Sequence, residues 1–181
     1  MKPIGILMIE HRLIEKVLTL VSKEIEHIDQ RLAADASFLK SVIDFIQTYA
    51  DRIHHGKEED ILFAQLKTKA MNAHDTAVMK ELDEEHKDSR RTVAELIQAA
   101  DGYAKGDRAQ LDVIKEKLTF ITGFYPVHIA KEDKDFFLST QRYFTPDELD
   151  NMLEEFYAFD RPMDKEKYNK LYETLKESVK Q

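Results

Sequence analysis

The chain is expected to be all-helical, an up-down-up-down four-helix bundle followed by two additional C-terminal helices, and three observations predict it. Only 5 Gly and 4 Pro occur, while 34% of residues are charged, a balance that suits long solvated helices over strands and tight turns. Four long segments carry apolar residues at every third or fourth position. Short runs of turn-forming residues separate them. With 43% hydrophobic residues in a length of 181, the chain can bury a sizeable core as one domain.

The first segment runs from Ile4 to Arg31, with Leu7, His11, Ile14, Leu18, Val21, Ile25 and Ile28 on one stripe. The second runs from Ser37 to Ala70 behind Asp35 or Ser37 as N-cap, and its stripe carries Ile43, Ile46, Ala50, His54, Glu58, Ile61 and Gln65. The third, His74 to Tyr103, aligns Met79, Leu82, His86, Ser89, Val93 and Leu96 before Gly102 and Gly106 stop it. The fourth, Arg108 to Phe144, aligns Leu111, Ile114, Leu118, Ile121, Tyr125, His128 and Glu132, then Asp135 or Phe136. Thr145-Pro146-Asp147-Glu148 has the pattern of a capping box with Pro at the first helical position. It opens a short helix to Phe159, and a last amphipathic segment covers Pro162 to Val179. Residues 1–144 therefore read as the bundle and 145–181 as a C-terminal extension packed on it or on a partner.

A net charge of -8 and the lack of a long basic cluster argue against nucleic acid and anionic membrane as partners. With 0 Cys there is no disulfide, iron–sulfur ligation or thiol nucleophile, so any metal must sit on nitrogen and oxygen. The apolar opening, Met1 to Ile9, is broken by Glu10, His11 and Arg12 before a signal core or membrane span is complete. A cytoplasmic location is expected.

Each of the four segments puts a histidine on its apolar stripe, and two add a glutamate one turn later: His54 with Glu58, and His128 with Glu132. Residues four apart share a helix face, so each pair can aim two ligand atoms at one place. A buried carboxylate without compensation is costly, and a cation compensates it directly. Helical rise gives a check on level. With turns near Ala33 and Asn72, His11 meets His54, and Glu58 meets His86. With a turn near Lys105, His128 falls about one turn short of His86. Pro126 either kinks the fourth helix and absorbs the offset or marks a break. Four imidazoles and two carboxylates suit two intermediate, redox-active ions with both carboxylates bridging, and they leave a coordination position open. His27, His55 and His74 lie off the stripes and read as surface residues. Glu59, Asp60, Glu84 and Glu85 read as solvated, with Glu85 able to hold an imidazole. Tyr49 and Tyr125 either donate to a bound oxygen species or pack as core aromatics. Phe45, Phe63, Met79, Phe136 and Phe137 read as core.

The series His11, His54-Glu58, His86, His128-Glu132 resembles the hemerythrin-like, or HHE cation-binding, family over residues 4–137. The resemblance implies a four-helix bundle with two non-haem iron ions, oxo- or hydroxo-bridged, that binds or reacts with dioxygen, nitric oxide or peroxide as sensor, store or scavenger. The metal ligands it implies are His11, His54, Glu58, His86, His128 and Glu132. Oxygen carriers of the family have HxxxH on the third helix, where this chain has Arg90 after His86. On the fourth helix Asp133 competes with Glu132 for the bridging role, and Glu132 lies on the stripe. The alternative function is a metal-stabilised interaction or regulatory protein without turnover. In that case the helices after Thr145 present a surface to a partner or to a second copy in a homodimer.

Overall fold

The computed structural model describes residues 2–180. Among them there are six helices and no strand. Helix α1 spans Pro3–Arg31, α3 spans Ala73–Ala104, α5 Pro146–Asp160 and α6 Lys165–Ser178. Helix α2 covers residues 36–66 and is only partly α-helical: Phe45–His55 and Glu58–Phe63 are wound as π-helix. Helix α4 covers residues 110–140, with a π-helical turn over Glu132–Phe136.

Side chains close most of the N-terminal ends, which would otherwise leave backbone N–H groups unpaired. The Asp35 carboxylate accepts from the Ser37 and Phe38 amides at α2, and the Asn72 side chain accepts from the Asp75 amide at α3. Thr145 and Glu148 form the reciprocal capping box at α5. Two segments are shorter than their periodicity predicts. Helix α2 stops at Leu66 instead of Ala70, because residues 67–72 turn to deliver the Asn72 cap. Helix α4 begins at Gln110 instead of Arg108, because the Asp107 carboxylate accepts from the Ala109 amide and holds a turn. It runs on through Pro126 without a break.

Helix α1 packs on α2 and α4, and α3 packs on α2 and α4, so the four long helices close a ring of neighbours. Their buried apolar side chains fall into two clusters. One is built around Val17, Val21, Val42, Leu96, Ile114 and Leu118, and α6 adds Tyr168 and Leu175 to it, with Val179 just past its end. The other holds Leu7, Leu62, Leu66, Leu82, Phe136 and Phe137, and α5 adds Leu149, Met152 and Phe156. Fully burying Met152 and Phe156 stabilises α5 by about 1.5–3 kcal/mol each. Both C-terminal helices thus complete apolar clusters begun by the first four. None of the described helices is long and apolar enough to cross a membrane.

At Gly56 the extension packs directly on the backbone of α2. A Cβ there would lie 2.7 Å from Cζ of Phe159, so the helix has no side chain where the ring arrives. Gly56→Ala sets a helix-propensity gain of about 1 kcal/mol against an overpacking cost of about 1–3 kcal/mol. The expected net result is a lower melting temperature. The same substitution in a Phe159→Leu background is expected to raise it, and thermal melts of the four proteins check both signs.

Candidate metal centre

Between the two apolar clusters lies a layer of buried polar side chains: His11 from α1, His54, His55 and Glu58 from α2, His86 from α3, and His128 and Glu132 from α4. All six residues expected from the stripes are brought together there. His128 reaches the layer because the loop between α3 and α4 is centred on Asp107, which lies 21 residues from His86 and 21 from His128. The offset expected from a turn at Lys105 came from placing that turn too early, and no kink at Pro126 is needed.

His55 corrects the reading of that residue as a surface histidine: it is fully buried. Its ring stacks on His86 at 3.9 Å between centroids and meets His128 edge-on at 5.7 Å. In an α-helix, neighbouring side chains diverge by about 100°. The π-helical winding of α2 narrows that angle, which helps both His54 and His55 face inward, and such turns recur at functional sites. His27 is partly buried and His74 is exposed, away from the layer.

The inward atoms form two groups that could each hold a metal ion. One is His55, His86 and His128; the other is His11 and His54 with Glu58 and Glu132. Each glutamate also faces both groups. Glu58 puts Oε1 3.4 Å from His54 Nε2 and Oε2 3.4 Å from His86 Nε2. Glu132 puts Oε2 3.1 Å from His11 Nε2 and Oε1 3.2 Å from His128 Nε2. This is the disposition that two bridging carboxylates require.

The outward ring nitrogens explain why the inward ones are free. His11 Nδ1 donates to Asp133 at 2.8 Å, His54 to Glu10 at 3.0 Å, His86 to Glu59 at 2.7 Å, His128 to Glu85 at 2.7 Å and His55 to Asp51 at 3.3 Å. A neutral imidazole that donates from Nδ1 has a lone pair at Nε2. With every imidazole neutral and both glutamates ionised, the state a metal requires, five lone pairs point at four carboxylate oxygens, acceptor against acceptor; in the metal-free layer, protons on His11 and His128 face Glu132 instead. All nine of these atoms are buried without a hydrogen-bond partner. Each acceptor left without a donor costs about 1–3 kcal/mol, so the layer is costly to hold in its deprotonated state without an occupant. Cations are the partners that repay this, and nitrogen and oxygen donors of this kind fit intermediate divalent and trivalent metals.

Proton affinities in the layer follow from the same crowding. Burial opposes a charge on His11 and His128, yet Asp133 and Glu132 beside the first push it up to about 9, and Glu132 and Glu85 beside the second push it up to about 10. Burial and the positive charge of His11 bring His54 down to about 4. Burial and the neighbouring imidazoles hold His55 well below its usual range. Burial and the charge of Glu132 drive Glu58 well up, while Glu132, ringed by His128, His11 and His86, is held well down despite its burial.

Of the outer carboxylates, only Glu85 was expected to hold an imidazole: Asp133, weighed against Glu132 as a bridge, instead holds His11 from outside the layer, Glu59, read as solvated, holds His86, and Glu10 and Asp51 were missed because they lie one residue off each stripe. Each in turn has a basic partner: Arg12 on Asp133, Lys57 on Glu10, Lys131 on Glu85, and Arg90 on both Asp51 and Glu59 at 2.7 Å each. Of the two tyrosines, Tyr125 lays its ring parallel to His55 and pairs its hydroxyl with Ser89 at 3.0 Å. Tyr49 stacks on Phe45 and packs against Tyr168, so both rings are packed among core side chains.

Arg90 thus braces the carboxylates that orient His55 and His86. Arg90→Met is expected to weaken cobalt(II) binding by about 10–100-fold, and Arg90→Lys to restore it only in part, since one ammonium cannot reproduce the fork. Isothermal titration with cobalt(II) measures both. Equal affinity in Arg90→Met and the parent protein would remove Arg90 from the site.

The family model of the hemerythrin HHE cation binding domain matches residues 2–138 of this chain. No curated protein and no solved structure matches it significantly. The match covers the first three long helices, all but the last two residues of α4, and every inward histidine and glutamate of the layer, and the chain belongs to the hemerythrin HHE cation-binding family.

Proposed function

We propose that the chain is a non-haem di-iron protein, built on an up-down-up-down four-helix bundle within residues 1–144, that binds or reacts with a small oxidant: dioxygen, nitric oxide or peroxide. The observation that supports it most is the convergence of five buried imidazole nitrogens and four buried carboxylate oxygens on one layer. In this reading His55, His86 and His128 hold one ion, His11 and His54 hold the other, and Glu58 and Glu132 bridge them. His55 joins the six residues expected from the sequence and makes up for the second histidine that oxygen carriers place on the third helix. Iron suits mixed imidazole and carboxylate donors, and when bound it supplies redox chemistry that no side chain here can.

The donor set is asymmetric. Three imidazoles and two carboxylate oxygens would serve one ion and two imidazoles and two carboxylate oxygens the other, so an open position would fall to the ion held by His11 and His54. The walls are apolar and aromatic: Phe137 stacks on His11, Phe63 on His86 and Phe124 on His128. Such walls exclude water and admit small uncharged molecules.

Anaerobic reconstitution with ferrous iron is expected to give two irons per chain, and air is then expected to raise near-ultraviolet absorption typical of an oxo bridge. Substoichiometric iron and an unchanged spectrum would refute the reading. His55→Ala is expected to lose iron as His54→Ala and Glu58→Ala do, by metal analysis of the purified variants.

Metal uptake must also depend on pH. In the metal-free protein His11 and His128 keep their protons up to about 9 and about 10, and a metal needs their lone pairs, so loading expels protons. Affinity for ferrous iron is expected to rise from pH 6 to pH 8, by about tenfold per pH unit for each proton displaced. Titrations in two buffers of different ionisation heat count the protons, and uptake without proton release would contradict the assignment of these two ligands.

A further inference from the structure

The orienting carboxylate of His54 is held differently from the other four. Glu10 is buried, and its Oε2 accepts from His54 Nδ1. Its other oxygen accepts from Lys57 at 2.6 Å and from Lys165. Lys57 is itself completely buried, and its ammonium reaches on to Asp160 at 2.7 Å. Asp160 accepts in turn from Lys165 at 2.9 Å. Asp160 is the last residue of α5 and Lys165 the first of α6, so the junction of the two C-terminal helices carries half of a four-membered charge network. A buried lysine without anionic partners is strongly disfavoured, and the two carboxylates that satisfy Lys57 come from α1 and from the extension. The family match ends at residue 138, so this part of the site lies outside what the family defines.

We infer that Asp160 and Lys165 are positioning residues for the metal ligand His54, and that the C-terminal extension is thereby a working part of the centre. This rests on the assignment of His54 as a ligand. Lys57 and Lys165 together offset the charge of Glu10 and fix which oxygen is left for the imidazole. Asp160 keeps both ammonium groups at the junction. The network fixes His54 with Nδ1 protonated and Nε2 aimed at the layer, which is the tautomer a metal needs. A second contact runs the same way, since Phe159 seats on Gly56, between His55 and Glu58. The extension acts on the ion held by His11 and His54, the one with the open position, and leaves the three-histidine ion to Glu59, Glu85 and Asp51.

The test uses the full chain with Lys165→Met, Asp160→Asn and Lys165→Arg, and Lys170→Met as a control on the exposed face of the same helix, where Lys170 pairs with Glu166 one turn away. Lys165 is partly exposed, so its replacement leaves the core intact, and circular dichroism checks the fold. In metal-free protein, nitrogen-15 histidine spectra are expected to show His54 protonated at Nδ1 in the parent, Lys165→Arg and control proteins. In Lys165→Met and Asp160→Asn its ring signals are expected to shift toward a mixture of tautomers, with those of His86 and His128 unchanged. In iron-loaded protein, one of the two irons is expected to pass to a chelator about tenfold faster in the same two variants. Unchanged His54 signals in folded Lys165→Met and Asp160→Asn would overturn the inference, and so would equal shifts in all the histidines, which mark general loosening. Failure of the parent protein to take up iron would defeat the di-iron reading, and the nitrogen-15 spectra would still decide whether the extension positions His54.

Discussion

The structure depends on one repeated interaction, a carboxylate that accepts from the outer nitrogen of an imidazole on the neighbouring helix. Asp133 on α4 holds His11 on α1, Glu10 on α1 holds His54 on α2, Glu59 on α2 holds His86 on α3, and Glu85 on α3 holds His128 on α4. The four contacts close a circuit around the molecule. Each carboxylate is also the sequence neighbour of an inward residue of its own helix: Glu10 of His11, Glu59 of Glu58, Glu85 of His86 and Asp133 of Glu132. In a helix, adjacent residues point about 100° apart. One member of each pair therefore faces the layer while the other reaches sideways to the next helix. The dipeptide is the unit from which both the inward donors and their supports are made.

This arrangement explains how a polar layer can cross the middle of an apolar interior. Hydrogen bonds to charged groups are worth more than neutral ones, and they fix geometry. The circuit thus sets the rotation and height of all four long helices relative to one another, while the clusters on either side supply the burial energy. It also concentrates the whole unsatisfied demand of the layer on its inward atoms. Disorder in any one imidazole would return its Nε2 to solvent or to a neighbour, and here none does so.

The fold class and the members of the layer were legible because each helix carries an uninterrupted apolar stripe with its polar residue in register. Capping chemistry at Asp35 and Thr145 was legible for the same local reason. His55 was not, because it lies off the 3.6-residue period and its inward aim depends on π-helical turns that periodicity does not encode. Two signals did point to it. Asp51 precedes it by one helical turn, the spacing at which a carboxylate can hold an imidazole, and Arg90 stands where a ligand histidine was expected. The outer carboxylates were hidden because a Glu beside a His looks the same in sequence whether it faces water or the next helix. Tertiary geometry alone separates Glu10, which is buried, from Glu84, which is exposed.

Charge accounting sets what the layer asks of its occupants. Arg12 offsets Asp133, Lys131 offsets Glu85, and Lys57 with Lys165 offset Glu10 with Asp160. Arg90 is shared between Asp51 and Glu59. The outer shell is therefore close to neutral, and the imidazoles are neutral when they act as donors of a lone pair. With both glutamates deprotonated to hold metal, what remains inside is the charge of Glu58 and Glu132. A single divalent ion would match that charge but reach only one of the two donor groups, because each glutamate divides its oxygens between them. Two ions, as proposed, would satisfy both groups, and the positive charge they would add beyond the two carboxylates would call for a small anionic or electron-rich ligand. The proposed chemistry follows from that residual charge, since it falls beside the ion with the fewest nitrogens.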